Sequence, residues 1–301
     1  MSSTAVPFKT GYVALIGEPN AGKSTLLNAL LGQKISIVTD KPQTTRQRVL
    51  GILTLPDAQL IFLDTPGVLE PKYLLQETMM RTARRVLDDA DVILVLTDAE
   101  MEPALSKSLL EVIDPLRGRK PILLAINKVD VFHRDRVLPL IAEMSRTGIF
   151  EEIIPISALR GENLDRLLGT LKARLPEHPA LYPHDLVSEQ PERFFVAEII
   201  REKIFEMFHD EVPYSTAVEI REYKERDEGK TYISADIIVE RDSQKGILIG
   251  KRGAALKGVG QRARKEIEEF TGRQVFLDLF VKVGEKWRKS ASWLRRLGYE
   301  E

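Results

Sequence analysis

The sequence predicts an α/β unit with a mainly parallel sheet, followed by a smaller α+β unit. Three observations predict it. Up to about residue 175, short apolar runs alternate with amphipathic helical stretches, the pattern of a parallel sheet flanked by helices. From Pro191 the order becomes helix, strand, strand, helix, helix, strand. Between them, 176–190 holds Pro176, Pro179 and Pro183 and few periodic apolar positions, the composition of a connection. The expected division is 1–178, a linker over 179–190, and 191–301.

The 301 residues suit two domains, and 43% hydrophobic with 30% charged residues is ordinary for globular chains. No stretch approaches the roughly 18 apolar residues of a membrane span. Residues 1–10 lack the apolar core of an export signal, so the cytosol is the expected compartment. There is no cysteine, which excludes disulfides and thiolate metal sites. His133, His178, His184 and His209 show no metal-binding spacing and read as surface or packing residues. The net charge of −1 argues against a uniformly basic nucleic-acid binder, yet it hides an asymmetry. Residues 191–240 carry 7 basic and 13 acidic side chains, whereas 241–301 carry 15 and 8. Basic units most often meet phosphate.

The first strand-like run, Tyr12–Ile16, leads into Gly17-Glu18-Pro19-Asn20-Ala21-Gly22-Lys23-Ser24 and then the helical Thr25–Leu31. Strand, glycine loop and helix in that order make a phosphate site. The loop N–H groups and the helix N-terminus present partial positive charge to a polyphosphate. Lys23 would reach the β- and γ-phosphates, and the Ser24 hydroxyl would bind Mg²⁺. The runs Val49–Thr54 and Gln59–Leu63 follow, the second ending in Asp64-Thr65-Pro66-Gly67-Val68. Asp64 stands where an acid would hold Mg²⁺ through water, and the Gly67 N–H where it would meet the γ-phosphate.

After Val92–Thr97, the run Pro121–Ile126 ends in Asn127-Lys128-Val129-Asp130. The Asp130 carboxylate can accept from guanine N1–H and the N2 amine; adenine offers neither donor. Asn127 would tie the base to neighbouring loops, and the Lys128 stem would cover the purine face. Ile153–Ile156 closes on Ser157-Ala158, whose Ala158 N–H is placed to donate to guanine O6. All four motifs end predicted strands, where open α/β sheets bind ligands. Their conjunction predicts a GTP- and GDP-binding domain of the P-loop type.

In the second unit, Arg193–Phe208 is helical in period, and Ser215–Arg221 and Lys230–Glu240 alternate as strands about the turn Glu225–Gly229. A helix-like run containing Ile247 and Ile249 leads into Gly250-Lys251-Arg252-Gly253. A helix over Ala254–Phe270, a strand over Gln274–Val283 and a basic helix over Lys286–Leu297 complete it. Glycines let the backbone approach a nucleic-acid strand, and Lys251 and Arg252 would neutralise its phosphates. Ile247 and Ile249 would face bases, and Arg262, Arg264 and Lys265 would add phosphate contacts. The last helix, with Trp287, Trp293, Leu294 and Leu297 among basic residues, either packs on its own domain or binds RNA, a ribosomal surface or an anionic membrane.

These motifs carry a resemblance. Gln43-Thr44-Thr45-Arg46-Gln47 resembles the Thr-Thr-Arg switch segment of the Era-type and tRNA-modification GTPases. By that resemblance Thr45, rather than Thr44, supplies the second Mg²⁺ hydroxyl. Asn20 matches the asparagine that binds a potassium ion in related GTPases, an ion that would substitute for an arginine finger. Lys23, Thr45, Gly67 and Asn20 then form the catalytic group. Val68 occupies the position where Ras-like proteins carry the glutamine that orients water, and valine orients none. The second unit resembles a type II KH domain.

A GTPase domain followed by a KH domain resembles the bacterial Era-type GTPases over nearly the whole chain. The resemblance implies a monomer that assists maturation of the small ribosomal subunit, binds single-stranded small-subunit rRNA near its 3′ end, and associates loosely with the inner membrane. Two alternatives are a GTP-dependent RNA-binding switch with little hydrolysis, and a tRNA-modification GTPase. The second needs a larger helical domain and a reactive cysteine, which this chain lacks.

Overall fold

The computed structural model describes residues 7–100, 105–131, 134–226 and 229–299; His133 and the tip of the Glu225–Gly229 turn lie outside them. Two compact units form. One comprises Met1–Ser36, Thr45–Pro71 and Met79–Glu189, the other Ile37–Thr44, Lys72–Thr78 and Gln190–Glu301.

In the first unit, β1 (Lys9–Gly17), β2 (Val49–Leu55), β3 (Ala58–Asp64), β4 (Val92–Asp98), β5 (Ile122–Asn127) and β6 (Glu152–Pro155) make one sheet of order β2-β3-β1-β4-β5-β6. Only β2 runs antiparallel, against β3. Every residue of β3, β4 and β5 is buried, which explains why these strands read as unbroken apolar runs rather than alternations. The helices are α1 (Lys23–Leu31), α2 (Leu74–Asp89, which belongs to this unit from Met79 on), α3 (Lys107–Ile113), α4 (Arg134–Thr147) and α5 (Leu164–Arg174). Strand β1 has β3 on one side and β4 on the other. Its C-terminal end is thus the point where strand order reverses, the position at which such sheets open a ligand crevice.

Residues 179–189, read from their prolines as a linker or irregular connection, are irregular in backbone. They lie in the first unit and are held along β2 and β3. Ile52 N donates to Val187 O (2.8 Å) and Ser188 Oγ to Leu50 O (2.5 Å). Fully buried Gln59 accepts from Leu181 N and Tyr182 N and donates to Tyr182 O. A polar residue inside an apolar strand needs such partners, and this segment supplies them.

The second unit is a three-stranded sheet of order β7-β8-β9, with β7 (Ala217–Lys224) antiparallel and β9 (Val275–Val283) parallel to β8 (Thr231–Val239). Its helices are α6 (Glu192–Met207), α7 (Asp242–Ile249), α8 (Ala254–Thr271) and α9 (Ala291–Arg296). Ile233, Ala235, Ile237 and Val239, alternate residues of β8, join Ile200, Ile204, Val259 and Ile267 in one core. Period two on the strand and three to four on the helices bring these side chains together.

The C-terminal segment packs on its own unit. Trp287 is fully buried, donates from Nε1 to Ser215 O (2.8 Å) and stacks on Tyr299. Leu294 is buried as well, and Arg296 pairs with Glu219 and covers the Trp293 ring. Among the described residues, no helix is long and apolar enough to cross a membrane.

Candidate functional site

The glycine loop turns at the end of β1. Gly22 has φ +93°, and a Cβ there would lie 2.1 Å from Asn127 Nδ2. Only glycine fits, and the close approach ties the phosphate loop to the Asn127 motif. Asn127 Nδ2 donates to Ala21 O (2.9 Å) and Asn127 Oδ1 accepts from Ala158 N (2.9 Å). The Ala158 N–H expected at guanine O6 is therefore engaged, and reaches a base only by sharing or exchanging that bond. Val68 N donates to Gly17 O (3.0 Å), and a Cβ on Gly67 would lie 2.7 Å from Pro19 N. Asp64-Thr65-Pro66-Gly67 thus runs against the loop, with Thr65 Oγ1 anchored on Leu15 O (2.8 Å).

Three oxygens converge beside the loop. Ser24 Oγ donates to Asp64 Oδ2 (2.8 Å) and lies 2.9 Å from Thr45 Oγ1. Thr44 Oγ1 instead bonds Lys41 O (2.7 Å) and Thr39 Oγ1 (2.8 Å), so Thr45 is the hydroxyl at the cluster. Burial raises the Asp64 pKa, against the pull of Lys23 and two hydroxyl donors. Its Oδ1 is buried with no hydrogen-bond partner. An orphaned carboxylate oxygen beside two hydroxyls fits a hard, oxygen-seeking cation such as Mg²⁺ that phosphates help to hold. Lys23 Nζ is buried and donates to Gly17 O (3.1 Å) and Glu18 O (2.8 Å). Burial pulls its pKa down to about 8, with Asp64 and Glu18 acting in opposition. A polyphosphate entering here would restore its charge.

Several partners escaped the sequence reading. Ser36, buried, donates to Asp64 Oδ2 (2.9 Å). It lies in an irregular stretch without periodicity, placed by Asn28, whose Oδ1 accepts from Ile35 N and Ser36 N. Glu18 Oε1 accepts from Ser106 N (2.7 Å). Asp98 pairs with Lys128 (2.9 Å), and Arg160 Nε stands 3.9 Å from Asp130 Oδ2. Asp98 had one signal, a carboxylate closing an apolar strand as Asp64 does.

In the second unit, α7 and α8 are joined by Gly250-Lys251-Arg252-Gly253. Arg252 adopts φ +53° and Gly253 φ +77°, and both Lys251 and Arg252 are exposed. Beside this turn, α8 and β9 enclose a cleft of about 380 Å³ whose lining includes Gly253, Lys257, Gln261, Arg264, Leu279 and Lys230. Of the expected phosphate contacts, Arg264 lines the cleft, while Arg262 and Lys265 are exposed elsewhere on α8. The expected Ile247–Ile249 platform does not form. Ile247 is exposed whereas Ile249 packs on the core, because residues two apart on a helix point to different sides. The positions missed, Lys257 and Gln261, recur with Gly253 and Arg264 at helical spacing.

Fold and site together define a P-loop GTPase carrying a KH domain, and comparisons agree. Residues 12–128 match the 50S ribosome-binding GTPase family and residues 211–288 the KH domain family. GTPase Era of Geotalea daltonii is 47% identical over 99% of this chain and 100% of its own length. GTPase Era of Geobacter metallireducens is 48% identical over 97% and 98%. The crystal structure of an Aquifex aeolicus Era variant bound to GDP and AlF4⁻ superposes with TM-score 0.93 at 45% identity, covering 98% of this chain and all of that one. An Era structure in complex with MgGDPNP and nucleotides 1506–1542 of 16S ribosomal RNA matches to the same extent. The chain belongs to the Era family of GTPases.

Proposed function

We propose that the chain binds GTP and GDP with Mg²⁺, hydrolyses GTP, and holds single-stranded small-subunit rRNA near its 3′ end, assisting maturation of the small ribosomal subunit. One observation carries the reading. A Gly250-Lys251-Arg252-Gly253 turn opens onto a cleft with basic walls, in the same chain as the Ser24–Thr45–Asp64 oxygen cluster. The Era structure holding both MgGDPNP and 16S rRNA nucleotides supports it. Near full-length identity to GTPase Era weighs against the tRNA-modification alternative.

Residues 17–25 would hold the phosphates, with Lys23 neutralising β- and γ-oxygens. Ser24 and Thr45 would bind Mg²⁺ directly and Asp64 through water; bound Mg²⁺ offsets charge on the transferring phosphoryl group. Asn127, Lys128, Asp130, Ser157 and Ala158 would enclose the guanine. Gly67 N–H would donate to the γ-phosphate, and Asn20, exposed at φ +65°, would bind potassium in place of an arginine finger. Nucleotide work falls to residues 1–178 and RNA binding to 191–301. We assign the protein to the cytosol as a monomer, with loose peripheral contact to the inner membrane.

The test is RNA affinity of Lys251→Asp with Arg252→Asp. Two negative charges where a phosphodiester should lie would abolish single-stranded RNA binding and leave GTP affinity intact. Unchanged RNA binding refutes the reading. Single-turnover phosphate release, with and without RNA, distinguishes an active GTPase from a switch that barely hydrolyses.

A further inference from the structure

The outer face of the three-stranded sheet carries aromatic side chains: Phe276 also lines the cleft, while the nucleotide and cleft chemistry gives Phe280 and Tyr232 no role. Along β9, Val275, Leu277, Leu279, Val281 and Val283 turn into the core, so Phe276, Asp278, Phe280 and Lys282 lie on the opposite face. Phe276 is 56% exposed and Phe280 47%. Tyr232, paired with Phe276 in the parallel ladder, stacks on it with ring centroids 5.9 Å apart and planes 19° apart. Among the described strands β9 pairs with β8 alone, so its outer edge is free. Two exposed phenylalanines on an edge strand invite association.

The occupant follows from continuity and charge. Strand β9 is one wall of the cleft that Gly253, Lys257 and Arg264 also line, and Lys230 stands on that lining just before Tyr232. Phe276 belongs to the same lining, so a nucleic-acid strand leaving the cleft across β9 passes the Phe276 ring and then meets Phe280. The face itself offers little to phosphate, because Lys282 and Arg221 are both engaged by Asp236 (2.7 and 2.9 Å). Flat rings without free positive charge suit bases, which stack on aromatic side chains whatever their sequence. Asp278, between the two phenylalanines, would accept from a base amino group. We infer that Tyr232, Phe276 and Phe280 form a second RNA subsite, stacking bases of the strand whose backbone the cleft holds. The inference rests on the RNA-binding reading above.

The experiment uses the full chain with Phe276→Ala, Phe280→Ala and both together. Affinity is measured for a 4-nucleotide and a 12-nucleotide single-stranded RNA across a salt series. Each substitution should weaken the longer RNA about tenfold; Phe280→Ala should leave the shorter one unchanged, whereas Phe276→Ala, at the cleft lining, should weaken both. The salt dependence should keep its slope, since no phosphate contact is lost. Both rings are exposed, so thermal unfolding should hardly move; Phe280→Trp should restore affinity and be quenched on RNA binding. Equal affinity of the double variant and the parent for the longer RNA overturns the subsite. So does concentration-dependent dimerisation of the parent that the double variant abolishes, since a second copy would then cover the face. If Lys251→Asp with Arg252→Asp leaves RNA binding intact, the RNA-binding reading itself falls, an outcome distinct from either.

Discussion

Lys128 Nζ lies 2.9 Å from Asp98 Oδ2, and Asp98 is the ladder partner of Asn127 at the ends of the parallel strands β4 and β5. Lys128 adopts φ +64°, so its stem leaves the strand in an uncommon direction and the ion pair fixes where it goes. The Asp98 carboxylate is 8% exposed and the Lys128 side chain 36%, so the pair is screened on its lysine side and shielded on its carboxylate side. Asp98→Asn should weaken GDP binding about tenfold, the loss of one charge-assisted bond. Titration with a fluorescent GDP measures it, and an unchanged Kd would show that Lys128 is placed by other contacts.

Asp130→Asn should weaken GTP binding and favour xanthosine triphosphate. The amide donates to the C2 oxygen of xanthine where the carboxylate accepted from the guanine amine. Competition between the two nucleotides reads the change directly, and retained GTP preference would mean that Asp130 does not read the base.

Lys23 makes two opposite pH dependences. Its folded pKa of about 8 lies below the ordinary 10.5, so between these values the unfolded chain binds more protons. Stability of the nucleotide-free protein should therefore rise with pH across that window, by about 3 kcal/mol in the limit. GDP affinity should fall over the same range, because the phosphates need the charged amine. Calorimetry in buffers of different ionisation enthalpy near pH 8.5 should record proton uptake on GDP binding. Lys23→Met should show neither effect.

Ser36→Ala removes one of two hydroxyl donors that hold down the Asp64 pKa. The carboxyl should then protonate more readily and bind Mg²⁺ several-fold more weakly, with the deficit growing as pH falls. GDP affinity measured in EDTA should not change. A uniform loss in both conditions would indicate general damage to the loop instead.

Val68→Ala should leave the hydrolysis rate within about twofold, because no water-orienting group is removed. Asn20→Ala should slow hydrolysis more than it weakens GDP binding, and only in potassium buffer. Equal parental rates in sodium and potassium would discard the cation at Asn20.

What the sequence made legible was local. Each predicted strand of the first unit is found, with ends within one residue except that β1 begins three residues before the predicted Tyr12, because apolar runs buried on both faces carry their own signal. The motifs at their ends follow, since Ser24 opens α1, Asp64 closes β3 and Thr45 stands in the loop between α1 and β2. Ser36 was hidden because its role depends on Asn28 folding a featureless stretch against Asp64. Ile249 was misread because an apolar run says which residues are hydrophobic, and only the helix phase says which are inside. Residues 179–189 looked like a linker because their partner, Gln59, lies more than a hundred positions away.

Asn127 joins the Ala21 carbonyl to the Ala158 amide, and that joint changes how a nucleotide is captured. The half-site for the sugar-base end and the half-site for the phosphate end are parts of one stiff body before any ligand arrives. The second half of a bound nucleotide therefore finds its place at an effective concentration fixed by protein geometry rather than by loop search. Guanosine and pyrophosphate offered separately should each bind poorly, while the covalent whole gains far more than their product. The tether inside the ligand is matched by a tether inside the protein.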